Sequence, residues 1–123
     1  MKTILERLKA LADRNRLRIV AALLHAEELC ACELVELLQV SGATTSRHLG
    51  LLMHAGLLES RKAGRWIHYR LNPQADGVLV RWLSDQLKTD AGLADDRRRL
   101  AAIRSCGPEE ICRRQRGAAC CPE

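Results

Sequence analysis

The chain has very few aromatic residues and no long apolar segment. Its 123 residues include no Phe, two Trp, one Tyr and only three prolines. A core must therefore be built from Leu, Ile, Val and Ala, a composition that favours helices. No stretch approaches a membrane span, and charged residues interrupt the N-terminus before a signal-peptide core can form. We expect a mainly α-helical, cytoplasmic protein with no membrane partner.

The charge balance and the cysteine content narrow the functional classes. The formal net charge is +5, from 20 Lys and Arg against 15 Asp and Glu, which mildly favours a polyanionic partner. Six cysteines in so short a chain would indicate a disulfide framework in a secreted protein. In a cytoplasmic protein we expect them to be reduced and available for metal or redox chemistry.

The spacing of apolar residues predicts about five helices and one hairpin. The helices are expected over residues 4–12, from the Asp13 cap to His25, from Cys32 to Leu38, from the Ser41 cap to Gly56, and from Asn72-Pro73 to Lys88. The last helix is expected to turn Val78, Leu79, Trp82, Leu83 and Leu87 inward. Alternating residues on both sides of Ala63-Gly64 predict a two-stranded hairpin.

The domain is expected to cover residues 1–90, followed by a cysteine-containing tail over residues 91–123. Gly107-Pro108 and Gly117 are expected to break this tail into short pieces. From Ser105 onwards we expect it to be poorly ordered unless a ligand holds it.

The third and fourth predicted helices, joined by a tight turn and followed by the hairpin, form the pattern of a winged helix-turn-helix. The fourth helix starts with short polar and cationic side chains, which can reach base edges in the major groove. Basic residues surround the hairpin tip, where a wing contacts the DNA backbone or the minor groove. The residues predicted to contact DNA are Ser41, Thr44, Thr45, Ser46, Arg47, His48, Arg61, Lys62 and Arg65.

Several motifs resemble those of the ArsR/SmtB family of metal-responsive repressors. They are Leu-Cys-Ala-Cys-Glu-Leu at 29–34, Ser-Arg-His-Leu at 46–49, Ala-Gly-Leu-Leu at 55–58 and Arg-Lys-x-Gly-Arg-Trp-x-His-Tyr-Arg-Leu at 61–71. The resemblance implies a winged-helix homodimer that binds an imperfect palindromic operator in double-stranded DNA. It also implies that the first and last helices of the domain form the dimer interface, and the leucine-rich faces of those helices fit this expectation.

Cys30-Ala31-Cys32 is the sharpest chemical feature of the sequence. Side chains two residues apart on a regular helix point about 200° apart, so two helical cysteines cannot converge on one ion. We therefore predict that ion capture unwinds or re-forms the first turn of the third helix. This change would also move the fourth helix, which is the recognition helix. We also expect the helix N-terminus to lower the pKa of these thiols, which favours the thiolate that binds soft ions.

The resemblance makes As(III) or Sb(III) the expected inducer, because a Cys-x-Cys at this place is similar to the family's site for these ions. Arsenic sensors of that type usually carry a further cysteine three residues on, where this chain has Val35. The further ligand candidates are the tail cysteines Cys106, Cys112, Cys120 and Cys121. The family's interhelical zinc site is expected to be absent, because residues 73–88 contain no His.

Other functions stay open at this point. A Cd(II) or Pb(II) sensor would draw four thiolates from Cys30, Cys32 and the tail, and a thiol redox-switch repressor would pair one of the two with a tail cysteine. A metallochaperone or sequestering protein would bind the ion without binding promoter DNA. An enzyme is not expected, and neither is an organic cofactor, because no nucleophile, base and orienting acid converge in the sequence.

Overall fold

The computed structural model of the chain describes residues 2–107, 109 and 111. Within them, the helices are α1 (Lys2–Leu11), α2 (Arg14–His25), α3 (Ala31–Leu38), α4 (Gly42–His54), α5 (Gly77–Lys88) and α6 (Ala94–Cys106). Strands β1 (Leu29–Cys30), β2 (Leu58–Ala63) and β3 (Trp66–Leu71) form an antiparallel sheet in the order β1-β3-β2. The predicted mainly α-helical fold with a two-stranded wing is confirmed.

Side-chain caps set the start of α2, which precedes the helix-turn-helix, and the start of α4, which is its second helix. The Asp13 carboxylate accepts a hydrogen bond from the Arg16 N–H at 3.0 Å and begins α2. The Ser41 hydroxyl accepts from the Thr44 N–H at 3.1 Å and begins α4. Both caps satisfy backbone donors that the helix itself leaves unpaired, and both agree with the sequence prediction.

The predicted start of the fifth helix is wrong. Helix α5 begins at Gly77, where the Asp76 carboxylate accepts from the Val78 N–H at 2.9 Å and from the next residue's N–H. The Asn72 side chain instead holds a turn, because its carbonyl accepts from the Gln74 N–H at 2.9 Å. A short polar side chain of this type favours a turn as readily as a helix cap.

The turn between α3 and α4 depends on one residue in an unusual conformation. Gln39 has a φ of 58°, in the left-handed region that side-chain-bearing residues rarely adopt. Its N–H donates to the carbonyl of Val35 at 2.9 Å, which ends α3. The chain then reaches the Ser41 cap after a single further residue, so the two helices are tightly connected.

The core lies between α2, α3, α4 and α6. Its most deeply buried side chains are those of Ile19, Leu29, Leu34, Leu37, Leu49 and Leu52. Residues 91–106, which were expected to belong to a tail, form a short 3-10 turn (Ala91–Leu93) and α6, and both contribute to this core through Leu93, Leu100 and Ile103. The predicted boundary near residue 90 therefore does not mark the end of the core.

Helix α5 buries less of its apolar face than the sequence predicts. Leu83 and Leu87 are buried, whereas Trp82 is 56% exposed and Val78 is 80% exposed. The expectation that all five apolar residues of this helix turn inward is therefore wrong within one chain. None of the described helices has the length and apolar character needed to cross a membrane.

Candidate DNA interface and thiol site

The first turns of α4 present part of the predicted DNA-reading surface. Ser41, Ser46 and Arg47 are exposed, and Thr44 is half-buried beside them. The Ser41 hydroxyl also donates to the Thr44 hydroxyl oxygen at 2.9 Å, so the cap orders two polar side chains at the helix start. The helix N-terminus adds backbone N–H groups and a partial positive charge, which favour a phosphate nearby. These residues form a polar surface suited to nucleic acid.

Thr45 and His48 lie on the opposite face of α4, and the prediction that they contact DNA is wrong. Thr45 is 1% exposed, and its hydroxyl donates to the backbone carbonyl of Ser41 at 3.0 Å. His48 is 5% exposed, and its Nδ1 accepts a hydrogen bond from the Arg16 guanidinium at 3.1 Å. Both residues share the helical spacing of buried Leu49 and Leu52, so packing rather than polarity decides where they point.

Arg16 connects three helices, a role that sequence reasoning missed. Its Nε donates to the carbonyl of Ala10 at 2.7 Å near the end of α1, while its guanidinium also reaches His48 on α4. Burial lowers the pKa of His48, and the positive charges of Arg16 and Arg47 lower it further against the attraction of Asp13. His48 is thus held as a neutral acceptor that seats the recognition helix.

The wing exposes the predicted basic residues, but one of them is already paired. Arg61, Lys62 and Arg65 are all exposed on or beside the hairpin tip, where Gly64 takes a φ of 65° in the turn. The Arg61 guanidinium makes a bidentate ion pair with Glu28, with Nε–Oε2 and Nη2–Oε1 distances of 2.7 Å each. The hydrogen bond to Arg61 holds the pKa of Glu28 below its usual range. Glu28 immediately precedes β1, so the wing is tied to the strand that carries Cys30.

Cys30 occupies the N-cap of α3 rather than its first turn. Its φ of −84° and ψ of 164° are extended, and its backbone pairs with His68 of the wing strand β3. The Glu33 carboxylate accepts from the Cys30 N–H at 2.9 Å, and the Cys30 side chain accepts in return from the Glu33 N–H. This reciprocal arrangement is a capping box in which a sulfur takes the usual place of a hydroxyl.

The Cys30 thiol is hydrogen-bonded to that of Cys32, which corrects one prediction. A side-chain hydrogen bond with Cys32, followed by burial, raises the pKa of the Cys30 thiol far above its ordinary value, although the Glu33 N–H opposes this. The expected lowering of the pKa by the helix N-terminus is therefore wrong for Cys30. Because Cys30 is extended and only Cys32 is helical, the two side chains meet at the start of an intact α3. The predicted change of its first turn on ion capture stays a prediction.

The other end of α3 is held by arginines. Arg18 on α2 makes a bidentate ion pair with Asp96 on α6, at 2.7 and 3.0 Å, and donates to the carbonyl of Leu37 at 3.0 Å. Arg99 on α6 donates to the same carbonyl, also at 3.0 Å. These cations satisfy carbonyls at the helix C-terminus, where the backbone dipole favours positive charge. Sequence reasoning missed this cap because Arg18 and Asp96 lie 78 positions apart.

Helix α6 packs against α3 and ends at one of the tail cysteines. Asp96 on α6 pairs with Arg18, and Arg99 donates to the Leu37 carbonyl, so α6 contacts the C-terminal end of α3. Cys106 is the exposed last residue of α6. Among the residues that the structure describes, no group of three or more potential ligands is already assembled. Cys112, Cys120 and Cys121 lie outside the described residues.

Exposed apolar side chains also lie on α1 and on α5. Ile4, Leu5 and Leu8 on α1 are 46–56% exposed, and Val78 and Trp82 on α5 are more than half exposed. Helices one and five are the two that the resemblance assigns to a dimer interface. Their outward apolar side chains therefore form a candidate surface for a second copy.

Comparison with known proteins agrees with this geometry. Residues 13–60, from the α2 cap through the recognition helix to the wing, match the family described as "Bacterial regulatory protein, arsR family". The chain is 43% identical to the arsenical resistance operon repressor of Escherichia coli (strain K12) over 88 residues, covering 68% of this chain and 75% of the relative. It is 46% identical to the cadmium resistance transcriptional regulatory protein CadC of Listeria innocua over 61 residues, covering 50% and 51%.

Solved structures give the same result. HlyU from Vibrio cholerae N16961 superposes with a TM-score of 0.61 at 30% identity, over 69% of this chain and 91% of that protein. An ArsR-like transcriptional regulator from Rhodococcus sp. RHA1 superposes with a TM-score of 0.54 at 32% identity, over 86% and 93%. The chain therefore belongs to the arsR family of bacterial regulatory proteins and is a transcriptional regulator with a winged helix-turn-helix DNA-binding domain.

Proposed function

We propose that this chain is a homodimeric repressor that binds a palindromic operator and releases it when As(III) or Sb(III) binds Cys30 and Cys32. The observation that carries the proposal is the contact between these two thiols at the start of the positioning helix α3. An ion held there touches the helix that packs directly on α4. The similarity to arsenical resistance repressors supports the choice of ion.

The donor set fits a thiophilic ion. Two sulfurs are in contact, of which that of Cys32 belongs to a half-buried residue and that of Cys30 to one that is 1% exposed. Soft ions prefer such sulfur ligands over the oxygen and nitrogen ligands of the rest of the surface. Val35 leaves the third family position without a sulfur, and Cys106, at the end of the helix that packs against α3, is our first candidate for a third ligand. Cys112, Cys120 and Cys121 stay as further candidates.

The apolar surface of α1 and α5 supports a dimer. Two copies joined through these helices would cover Ile4, Leu8, Val78 and Trp82, which one chain leaves in water. A two-fold dimer would place its two recognition helices about 34–36 Å apart, the repeat of B-DNA. Sedimentation equilibrium should show a dimer, and Trp82→Glu should shift it to monomer and weaken operator binding.

The operator assay tests the proposed function directly. Fluorescence anisotropy with labelled DNA from the chain's own promoter region, at fixed salt, measures affinity with and without arsenite. We expect arsenite to weaken wild-type binding about a hundredfold, within the usual range of allosteric coupling. Cys30→Ser should bind the same DNA as tightly as wild type and should no longer respond. Undiminished release from Cys30→Ser would remove this site from the proposal, and no binding of promoter DNA at any salt would refute a repressor altogether.

A cadmium sensor is the second candidate, favoured by the 46% identity to a cadmium resistance regulator. The two ions differ in their proton balance. When a thiol binds As(OH)3, the S–H proton leaves with a hydroxide as water, whereas Cd²⁺ displaces the thiol proton into solution. Titration in weakly buffered solution should therefore acidify the sample with Cd²⁺ and leave the pH nearly constant with arsenite. The ion that releases operator DNA at the lower concentration identifies the inducer.

A further inference from the structure

The short strand β1 places the thiol site in direct register with the wing. Cys30 pairs with His68 on β3, and His68 pairs with Arg61 on β2, so the three residues lie in one row across the sheet. Displacement of the Cys30 backbone therefore acts on the wing without passing through the recognition helix. This route is independent of the contact between α3 and α4.

An ion pair between two side chains also connects the segment before β1 with the wing. Glu28, two residues before Cys30, holds Arg61 with two hydrogen bonds of 2.7 Å, and its carboxylate lies 3.8 Å from Nδ1 of His68. The Arg61 side chain is 58% exposed and that of Glu28 is 26% exposed. A bidentate pair fixes the direction of the guanidinium, while solvent keeps the interaction weak enough to be exchanged. The pair thus sets where a wing cation points relative to β1.

We propose that Glu28 is a positioning residue that transmits the state of the Cys30–Cys32 site to the wing through Arg61. This inference rests on the proposed function, because it needs a thiophilic ion at the two cysteines. Ion binding shifts β1 against β3, the Glu28–Arg61 pair moves with it, and the wing loses the orientation that suits DNA. The recognition helix and the wing are then released together, each by its own connection to Cys30.

The wing offers a matched control. Glu59 on β2 pairs with Arg70 on β3, with an Nε–Oε1 distance of 2.6 Å, and its side chain is 38% exposed. Glu28→Gln and Glu59→Gln each remove one negative charge and one ion pair close to the wing. They differ in that only Glu28 is connected to the strand that bears Cys30, so a difference in their response reports that connection.

The test measures the ratio of operator affinities without and with saturating arsenite. If arsenite lowers the operator affinity of wild type about a hundredfold, we expect it to lower that of Glu28→Gln only about tenfold. Glu59→Gln should behave as wild type. Arsenite affinity, measured without DNA by isothermal titration calorimetry, should be the same in all three proteins. Equal release from wild type and Glu28→Gln would overturn the inference and leave the proposed function standing. If both variants lost the arsenite response equally, the inference would also be overturned, because the loss of a negative charge near the wing would then explain the result.

A second readout follows the wing itself in the absence of DNA. The chain has two tryptophans, half-buried Trp66 at the start of β3 and Trp82 on α5, so 5-fluorotryptophan labelling gives two ¹⁹F signals. Trp82→Phe assigns them. Arsenite should shift the Trp66 signal in wild type and in Glu59→Gln, and the shift should be lost in Glu28→Gln. A Trp66 signal that does not respond in wild type, in protein that binds arsenite, would exclude a wing route. Loss of arsenite binding in Glu28→Gln would mean that Glu28 acts on the thiols and would equally refute transmission.

Discussion

The two ends of α3 are held in opposite ways. At its C-terminal end, Arg18 and Arg99 donate to the Leu37 carbonyl, and Asp96 fixes Arg18 by a bidentate ion pair. At its N-terminal end, the helix relies on the Cys30 sulfur, a reciprocal bond with Glu33 and a two-residue strand. Charged hydrogen bonds in a half-buried setting are strong, whereas sulfur is a weak acceptor.

The difference shows how one short helix can be both anchored and adjustable. The arginine end fixes α3 at the turn that leads into α4, so the recognition helix has a defined position on the repressing protein. The thiol end relies on weaker contacts, which the proposed ion would exchange for bonds to the sulfurs. We therefore expect variants at the arginine end to change stability and variants at the thiol end to change regulation.

The largest expected effect on stability is at the arginine end. Asp96→Ala leaves the Arg18 guanidinium without its carboxylate in a half-buried position, and should lower the free energy of unfolding by about 3 kcal/mol. Asp95→Ala is the matched control, because the Asp95–Arg98 pair is exposed, and it should change this free energy by less than about 0.5 kcal/mol. Urea unfolding followed by circular dichroism measures both. Similar values for the two variants would mean that the arginine end is no anchor.

The thiol end should show the reverse behaviour. Cys30→Ser keeps an acceptor for the Glu33 N–H and removes the contact between the two sulfurs. It should therefore lower the free energy of unfolding by only about 1 kcal/mol, the size of a typical hydrogen bond. Asp96→Ala, assayed at a temperature where it is folded, should retain release of operator DNA by arsenite, which Cys30→Ser should lose. If Asp96→Ala still bound arsenite but no longer released operator DNA, the proposed division between an anchoring end and a regulatory end of α3 would be contradicted.

A smaller effect is expected at His48, which seats α4 independently of both ends of α3. Because its pKa is lowered in the folded protein, the unfolded chain takes up a proton at higher pH than the folded chain. Stability is therefore fully present above the unfolded value of about 6.5 and falls as the pH drops below it. His48→Gln keeps an acceptor for Arg16 and should flatten this decline. Thermal unfolding between pH 7.5 and 5 measures the slope, and an unchanged slope would assign the decline to other groups.

Local patterns predicted most of the fold. Helix periodicity, the caps at Asp13 and Ser41, and strand alternation around Gly64 are readable within a few residues, and the structure confirms the elements they predicted. The segment that matches the arsR family, residues 13–60, contains several of these elements. The bounds of helix α6 and its place in the core were not predicted from the sequence, because its mixed charged and small residues give no clear apolar stripe and its burial depends on partners far away in the chain.

The site was harder to predict, because long-range partners decide its chemistry. His48 and Arg61 look alike in sequence as DNA-facing cations, yet one is buried against Arg16 and the other is paired with Glu28, 33 positions away. The pKa of Cys30 depends on burial and on Cys32, which outweigh the local effect of a helix N-terminus. Two residues of strand give no alternation to read, so β1 and its register with His68 could not be predicted.

The left-handed backbone of Gln39 makes the tight turn between α3 and α4 depend on the conformation of one residue. Glycine there would relieve the steric cost of a positive φ, and a β-branched residue such as Val would resist it most. A change at this exposed residue can therefore alter how the recognition helix meets the groove while Cys30 and Cys32 stay as they are. Operator preference and inducer preference can thus diverge separately in descendants of this protein.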